Sequence, residues 1–548
     1  MPHLPAVLRL AVGRDSAAPA PDWVVLDLHG SYPAHRSADP VQAVLHRSES
    51  LEGLTARLER IADADWVTGV LVRVTGLTAG LATSDAIGRA LGRLDAGKRV
   101  VVYLPHVSMR TLLVGARVRE VVAPESAEVM VPGFAAERTF YGSFLSRHGI
   151  AFENLRIREY KSALTRFSED HMDSHDREQL TAYLDSAERT WLTTLHGARQ
   201  VDGDVARRWF DPDEDLPRTW FAEELTNATQ LLETGLLTRV AYDDEIVTPV
   251  EQHWGRALEL VLGELGERRA ARKADGVTVV PVIGPIVSGR SRPTPPVPFL
   301  PGPTAGADTV VAALRKADRD ERTRAIVLYV DSPGGSALAS DLVCRAVERC
   351  TKPVVAVMGE VAGSGGYYVL ARADHVVASP FTLTGSIGVV VGKPVLTQLN
   401  ERHGLNPEVV GREEALFDSP NRPFSDAGRA WAERMMREVY DRFVDRVATG
   451  RGLTRERVDE IGRGRIWSGA DAVELGLVDE LGDLDAGVAA ARRLAGLPDD
   501  APVRAAGNGF TLPGTPTFGK DPARTLAGLW PFGQERVLTW MDSTVTIR

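Results

Sequence analysis

Two glycine-rich stretches, DSPGGS at 331–336 and AGSGGYY at 362–368, each follow a short apolar, β-branched run, AIVLYV at 325–330 and PVVAVM at 353–358. In the second stretch Ser364 stands among Gly363, Gly365 and Gly366, where a strand should end and a helix begin. A serine so placed reads in two ways. It is a strand-to-helix turn built from residues free of Cβ, or it is a nucleophile whose neighbouring backbone N–H groups hold a developing oxyanion. A Pro-Gly-Gly turn at a strand end points another N–H into the crevice where open α/β sheets bind ligands. Gly365, next to Ser364, would supply a second. DSPGGS followed by GSGG at the next strand end is therefore a stronger signal for acyl transfer than either motif alone.

A serine hydroxyl attacks poorly unless a base takes its proton. Downstream of Ser364 the chain offers His375 and His403. His375 reads as lying well along the helix that starts at Ser364, facing away from its beginning. His403 precedes a glycine in a helix-end signal. The alternative is a lysine kept neutral by burial, and Lys161, in REYKSAL at 158–164, is the candidate. By itself any one lysine reads as a solvated surface residue. Lys161 rises above that only through the organisation of the chain.

That organisation is a long internal repeat. DWVVLDLHGSY at 22–32 resembles GVTVVPVIGPI at 276–286, and the region 54–91 resembles 311–347. KRVVVYL at Lys98 pairs with KPVVAVM at Lys352, and RHGI at Arg147 with RHGL at Arg402, so the register persists through both halves. Each copy alternates helical stretches with buried, non-alternating strands, which implies parallel βαβ units. Where the second copy has DSPGGS the first has TGLTAG at 75–80, and Ser108, near the place of Ser364, lacks flanking glycines. Conversely, the position equivalent to Lys161 is Leu416. Each half has what the other has lost. The expected domains are an N-terminal tail at 1–21, a first domain at 22–247 carrying the lysine, a connecting helix at 248–275, a second domain at 276–500 carrying the serine and oxyanion donors, and a C-terminal tail at 501–548. The Pro-rich stretch SGRSRPTPPVPFLPGP at 288–303 reads as a loop over the site.

Composition bounds the rest. The 548 residues are 44% apolar and 25% charged, enough for more than one core. A net charge of -10 argues against general nucleic-acid binding. Cys344 and Cys350 read as core or helix-surface thiols, and no metal-ligand cluster or cofactor motif stands out. The apolar patch near the N-terminus is broken by Arg9 and Arg14, and no continuous apolar run is long enough to span a bilayer. The expectation is a cytoplasmic protein, with peripheral membrane contact left open.

DSPGGS, AGSGGYY and SPFTLTGSIGV at 379–389, with YKSA in the preceding half, resemble the long, internally duplicated form of the S49 serine peptidases, the signal peptide peptidase type. The resemblance covers most of the chain, including GRGRIWSGADAVELGLVDELG at 462–482. It implies a duplicated α/β fold, the ClpP/crotonase spiral of ββα units. It also implies Ser364 as nucleophile, Lys161 as general base, Ser386 as a second hydroxyl orienting the lysine, and Gly335 and Gly365 as oxyanion donors. Peptide substrates, no cofactor, and a homo-oligomeric ring or bowl of tetramer type are implied as well. Long-form members carry an N-terminal membrane anchor that this sequence does not show, so soluble peptides compete with membrane signal peptides as substrates. Two other readings keep the same fold: a crotonase-like acyl-CoA enzyme and a non-catalytic scaffold. A Clp-type peptidase needs a histidine where this chain reads GSIGV at 385–389. An α/β-hydrolase needs a later acid and histidine that have no convincing place.

Overall fold

The computed structural model describes residues 23–34, 49–65, 67–199, 226–246, 274–291, 303–410, 416–506, 537–541 and 546–547. The expected N-terminal tail, most of the connecting helix and most of the Pro-rich loop lie outside the described residues. The chain divides into two compact units, Met1–Gly133 with Glu188–Asp275, and Phe134–Ala187 with Gly276–Arg548.

In the first unit five strands run in the order Trp23–Gly30, Gly69–Leu77, Arg99–Tyr103, Glu120–Ala123, Arg239–Val240. Every pairing is parallel. Parallel neighbours need crossovers, and the helices Leu51–Asp63 and Leu81–Asp95 supply two of them. Leu51–Asp63 forms because Ser50 caps it by accepting the Gly53 N–H, and Leu51, Leu54, Leu58 and Ile61 fall on one buried stripe.

The second unit repeats that order with Gly276–Ile283, Thr323–Ser332, Val354–Gly363, His375–Ala378 and Glu480–Leu481. Helices Ala307–Arg319 and Ala337–Glu348 take the corresponding crossover places. Strands such as TRAIVLYVDS are buried on both faces, which is why their apolar residues run on rather than alternate. The long strand Val354–Gly363 pairs with His375–Ala378 along its first half and with Leu383–Gly385 at its end. Its register against Thr323–Ser332 shifts between Val330↔Met358 and Ser332↔Ala362. This irregularity bends the strand just before Gly363 and Ser364. A smaller sheet in the same unit has the order Ala305–Gly306, Ile286–Val287, Gly334–Ser336, Leu538–Trp540, Val390–Val395, Ala151–Arg156.

Three expectations need correction. Residues 134–187, expected in the first domain, group with the second unit. The reason is the strand Ala151–Arg156, which pairs antiparallel with Val390–Val395 over six rungs, from Ala151↔Val395 to Arg156↔Val390. The stretch 501–548 is not wholly a tail, because Val503–Ala505 joins the edge of the main sheet beside Gly276–Ile283 and Leu538–Trp540 enters the middle of the smaller one. The helix after Ser364 spans only Gly365–Leu370, so His375 lies on the next strand, its Nε2 3.0 Å from Glu480 Oε2. His403 does cap a helix end, that of Thr397–Arg402.

Candidate active site

Ser364 sits at the junction of Val354–Gly363 and the helix Gly365–Leu370 with φ 54 and ψ -115. This backbone region is costly for any residue with a Cβ and is held only when its surroundings over-determine it. Here the Ser364 N–H donates to Gly385 O at 2.8 Å, and Ser364 O accepts from Tyr368 N at 2.8 Å. Among the described residues only Tyr32, Ser364, Ser386 and Arg463 combine a side chain with positive φ. Ser364 and Ser386 both contact Lys161, and Gly464, next to Arg463, packs against it. The flanking glycines answer to close approach, since a Cβ on Gly366 would meet Ser332 O at 2.4 Å.

Each polar side chain of DSPGGS has a partner. Asp331 accepts the Val361 N–H at 3.1 Å. Ser332 donates to Gly284 O at 2.7 Å and accepts the Gly334 N–H at 3.1 Å, closing the turn. Ser336 caps Ala337–Glu348 by accepting the Ala339 N–H. Burial, reinforced by Glu360, pushes the Asp331 carboxyl up to about 7.

Lys161 is 1% exposed. Its Nζ lies 2.6 Å from Ser364 Oγ, 2.8 Å from Ser386 Oγ and 2.8 Å from Ser386 O. Burial holds its amine well below the usual lysine range. The structure thus brings Ser364 and Ser386 into hydrogen-bond reach of Lys161 within one unit, across sequence separations of 203 and 225 residues. The backbone around the lysine is close-packed: a Cβ on Gly464, whose φ is +82, would lie 2.6 Å from Lys161 Cβ.

Sequence reasoning missed the groups that hold this lysine. Ser162 donates to Asp176 Oδ1 at 2.8 Å, and Asp176 forms a buried ion pair with Arg138, the side chains being 2% and 4% exposed. Gln179 donates to Ser162 Oγ at 3.2 Å and to Tyr160 O at 3.1 Å, while its Oε1 accepts the Ile466 N–H at 3.2 Å. The residues on either side of Lys161 are therefore pinned to the helix Ser174–Arg199. Asp176→Ala would leave the Arg138 charge buried without this carboxylate. The expected loss is about 3–5 kcal/mol of stability, read from the midpoint of urea unfolding. An unchanged midpoint would show that the pair does not hold this segment.

Of the expected oxyanion donors Gly335 and Gly365, the second approaches Gly334, the residue before the first. Gly365 N is 2.5 Å from where a Cβ on Gly334, with φ +96, would lie. The strand Leu538–Trp540 pairs directly with Gly334–Ser336, and nothing in its sequence announced that place. Ser108 instead caps the helix Met109–Gly115 through a reciprocal bond with Thr111, a structural role.

With this geometry in hand, the comparisons with known proteins are consistent. The sequence model of peptidase family S49 matches residues 92–213 and 346–498, and that of Clp protease matches 303–382. The chain is 29% identical over 476 residues to "Serine protease SPPA, chloroplastic" of Arabidopsis thaliana, covering 84% of this chain and 68% of the relative. It is 27% identical over 442 residues to "Protease 4" of Haemophilus influenzae, covering 78% and 70%. A shorter match, 34% over 174 residues, is to "Putative signal peptide peptidase SppA" of Enterococcus faecium, covering 31% and 50%. The two glycine motifs, the parallel α/β sheets and these matches lead to one conclusion: the chain belongs to peptidase family S49 and is a serine peptidase.

Proposed function

We propose that this peptidase works through a serine–lysine dyad, with Ser364 as nucleophile and Lys161 as general base. The observation that carries the reading is the hydrogen-bond count at Lys161 Nζ. A neutral amine has two N–H groups and one lone pair. Two contacts go to Ser386, at its O and Oγ, and the third faces Ser364 Oγ at 2.6 Å. With both N–H groups spent on Ser386, the lone pair is aimed at the serine hydroxyl. Ser386 thereby orients the base. As Ser364 Oγ attacks a peptide carbonyl carbon, its proton passes to Lys161 and then to the leaving amine. Water completes the cycle by hydrolysing the ester on Ser364. Gly335 and Gly365 hold the oxyanion with backbone N–H groups that need no reorganisation. A crotonase-like reaction would use such amides but leaves the buried Lys161–Ser364 contact without a purpose.

The substrates are signal peptides or other short, unfolded peptides. An extended chain can bind as a strand beside Gly334–Ser336 in the place that Leu538–Trp540 takes in this structure. A folded domain about 25 Å across cannot enter a crevice between strands without unfolding. Two copies of one ancestral unit account for the repeated strand order; the lysine-bearing segment belongs to the first copy in sequence and groups in space with the unit that carries the serine. The active form is a homo-oligomeric ring or bowl, which the resemblance to S49 peptidases supports. No helix among the described residues is long and apolar enough to cross a membrane. The experiment is a digest of one stable protein, folded and denatured, alongside labelling with a serine-reactive phosphonate. The expected result is cleavage of the denatured form only, preference for small or apolar residues beside the cut, and label on Ser364. Equal cleavage of both forms would remove the recessed site, and label elsewhere would remove the dyad.

A further inference from the structure

GRGRIWSGADAVELGLVDELG at 462–482 supplies neither the nucleophile, the base nor an oxyanion donor. It opens with a turn, GRGR at 462–465, whose middle residues Arg463 and Gly464 both have positive φ, 53 and 82. A side chain in that region persists only where its surroundings hold it. Here the strand Ile466–Ser468 runs antiparallel to Leu383–Gly385, and the turn carries that ladder two bonds further. Ser386 N donates to Arg465 O at 2.6 Å, and Gly464 N donates to Ile387 O at 2.8 Å. The turn thus holds Ser386, itself at φ 51, by its own N–H and by the next residue's carbonyl.

The same turn closes over the base. Where a Cβ on Gly464 would stand, Lys161 N and Cβ are 2.6 Å away and Lys161 Cα 2.7 Å. From another side, a Cβ on Gly388 would lie 3.1 Å from Lys161 Cδ and 3.0 Å from Gly464 Cα. The three residues before the lysine are gripped from the same place. Arg463 pairs with Glu159 at 3.2 Å. Arg465 lies over the Tyr160 ring at 5.0 Å and pairs with Glu178 at 3.0 Å. Arg158 pairs with Asp459 at 3.1 Å; Asp459 also accepts the Tyr440 hydroxyl at 2.7 Å, and the Tyr440 oxygen accepts the Arg463 N–H at 3.3 Å. These charges, like Asp176 and Arg138 behind Ser162, are paired with one another, while the contacts of Lys161 Nζ go to Ser364 and Ser386.

We propose that the turn at 462–465 positions the general base: Gly464 fixes Lys161 by direct packing, and the backbone of Gly464 and Arg465 fixes Ser386, which orients the amine. This rests on the serine–lysine reading above. Gly464 is a positioning residue, since it acts on where Nζ stands and on how far water reaches it. A misplacement of about 1 Å costs on the order of 100-fold in rate. A buried lysine let out toward water also regains its charge, so the base becomes available only at higher pH.

The test compares Gly464→Ala, Gly388→Ala and Gly452→Ala with wild type, reading kcat and KM for an unfolded peptide as functions of pH, together with the melting temperature. Gly452 has φ +64 and open space where a Cβ would go, so its alanine variant carries the backbone strain without touching the base. Gly464→Ala is expected to lower kcat about 100-fold with KM little changed, and to move the midpoint of the kcat–pH curve upward. Gly452→Ala should keep the wild-type midpoint. Gly388 lies outside the left-handed region, so Gly388→Ala keeps the fold while wedging the lysine stem away from the turn. It should move the midpoint the same way by less, and it decides the matter if Gly464→Ala does not fold. Folded Gly464→Ala and Gly388→Ala variants that keep the wild-type midpoint, or that raise KM with kcat intact, would overturn the role of the turn and leave the dyad standing. An equal shift in Gly452→Ala would overturn it too, because strain alone would then suffice. Near wild-type turnover by Lys161→Arg would remove this proposal together with the dyad.

Discussion

Ser364→Ala is expected to lower peptide hydrolysis by roughly three to six orders of magnitude, the scale on which loss of a nucleophile acts when oxyanion donors and binding groove remain. The substitution removes one oxygen and leaves the turn as it is. Alanine at φ 54 meets the same strain as serine, because the cost comes from Cβ and not from the hydroxyl. The Ser364 N–H keeps its bond to Gly385 O. Lys161 keeps both oxygens of Ser386. The melting temperature should therefore stay near that of the wild type while turnover collapses. Hydrolysis by this variant above about 1% of the wild-type rate would end the assignment of Ser364 as nucleophile.

Substitution of Lys161 should be as damaging to turnover and different in its pH dependence. Burial lowers this amine well below its ordinary value of 10.5. Activity should rise with pH as the folded-state lysine loses its proton, and then reach a plateau, because only the neutral amine accepts the proton of Ser364. Stability should move in the same direction. Between the lowered folded-state value and 10.5, the unfolded chain binds a proton that the folded chain does not, so the free energy of unfolding increases with pH across that window. Below the window both states are charged and burial carries its full cost; above it both are neutral and the cost is gone. Lys161→Met, neutral and of similar length, should abolish turnover and flatten this slope while preserving the fold. Lys161→Arg should also be inactive, since guanidinium stays protonated and cannot serve as base. The measurements are turnover and urea unfolding as functions of pH. An arginine variant with near wild-type turnover would mean that Lys161 is not the base.

The sequence by itself determined the chemistry on offer. GSGG after one apolar run and SPGG after another specified a serine in a strained turn and a pair of approaching backbones. Glycine is one of the few residues whose local requirement is absolute, as at Gly366 beside Ser332 O and at Gly334 with φ +96. The repeat and the β-branched runs determined the parallel strands, because strands buried on both faces must be apolar throughout. The complementary losses in the two halves singled out Lys161 without any geometry.

The tertiary structure alone decided how these pieces meet. Nothing local says that Lys161 is 1% exposed, since a lysine looks the same in water and in a core, and its burial depends on Ser386 and Gly464 far along the chain. The clamp of Ser162, Asp176, Arg138 and Gln179 was invisible for the same reason: each is a common surface residue until the fold removes its water. The strand Ala151–Arg156, AFENLR, carries two charges and no apolar run, and it is a strand only because Val390–Val395 offers it six rungs of backbone partners. Leu538–Trp540 is shorter still. Three residues hold no periodicity, and their place in the groove comes from backbone hydrogen bonds on both sides, which any sequence lacking a misplaced proline can make.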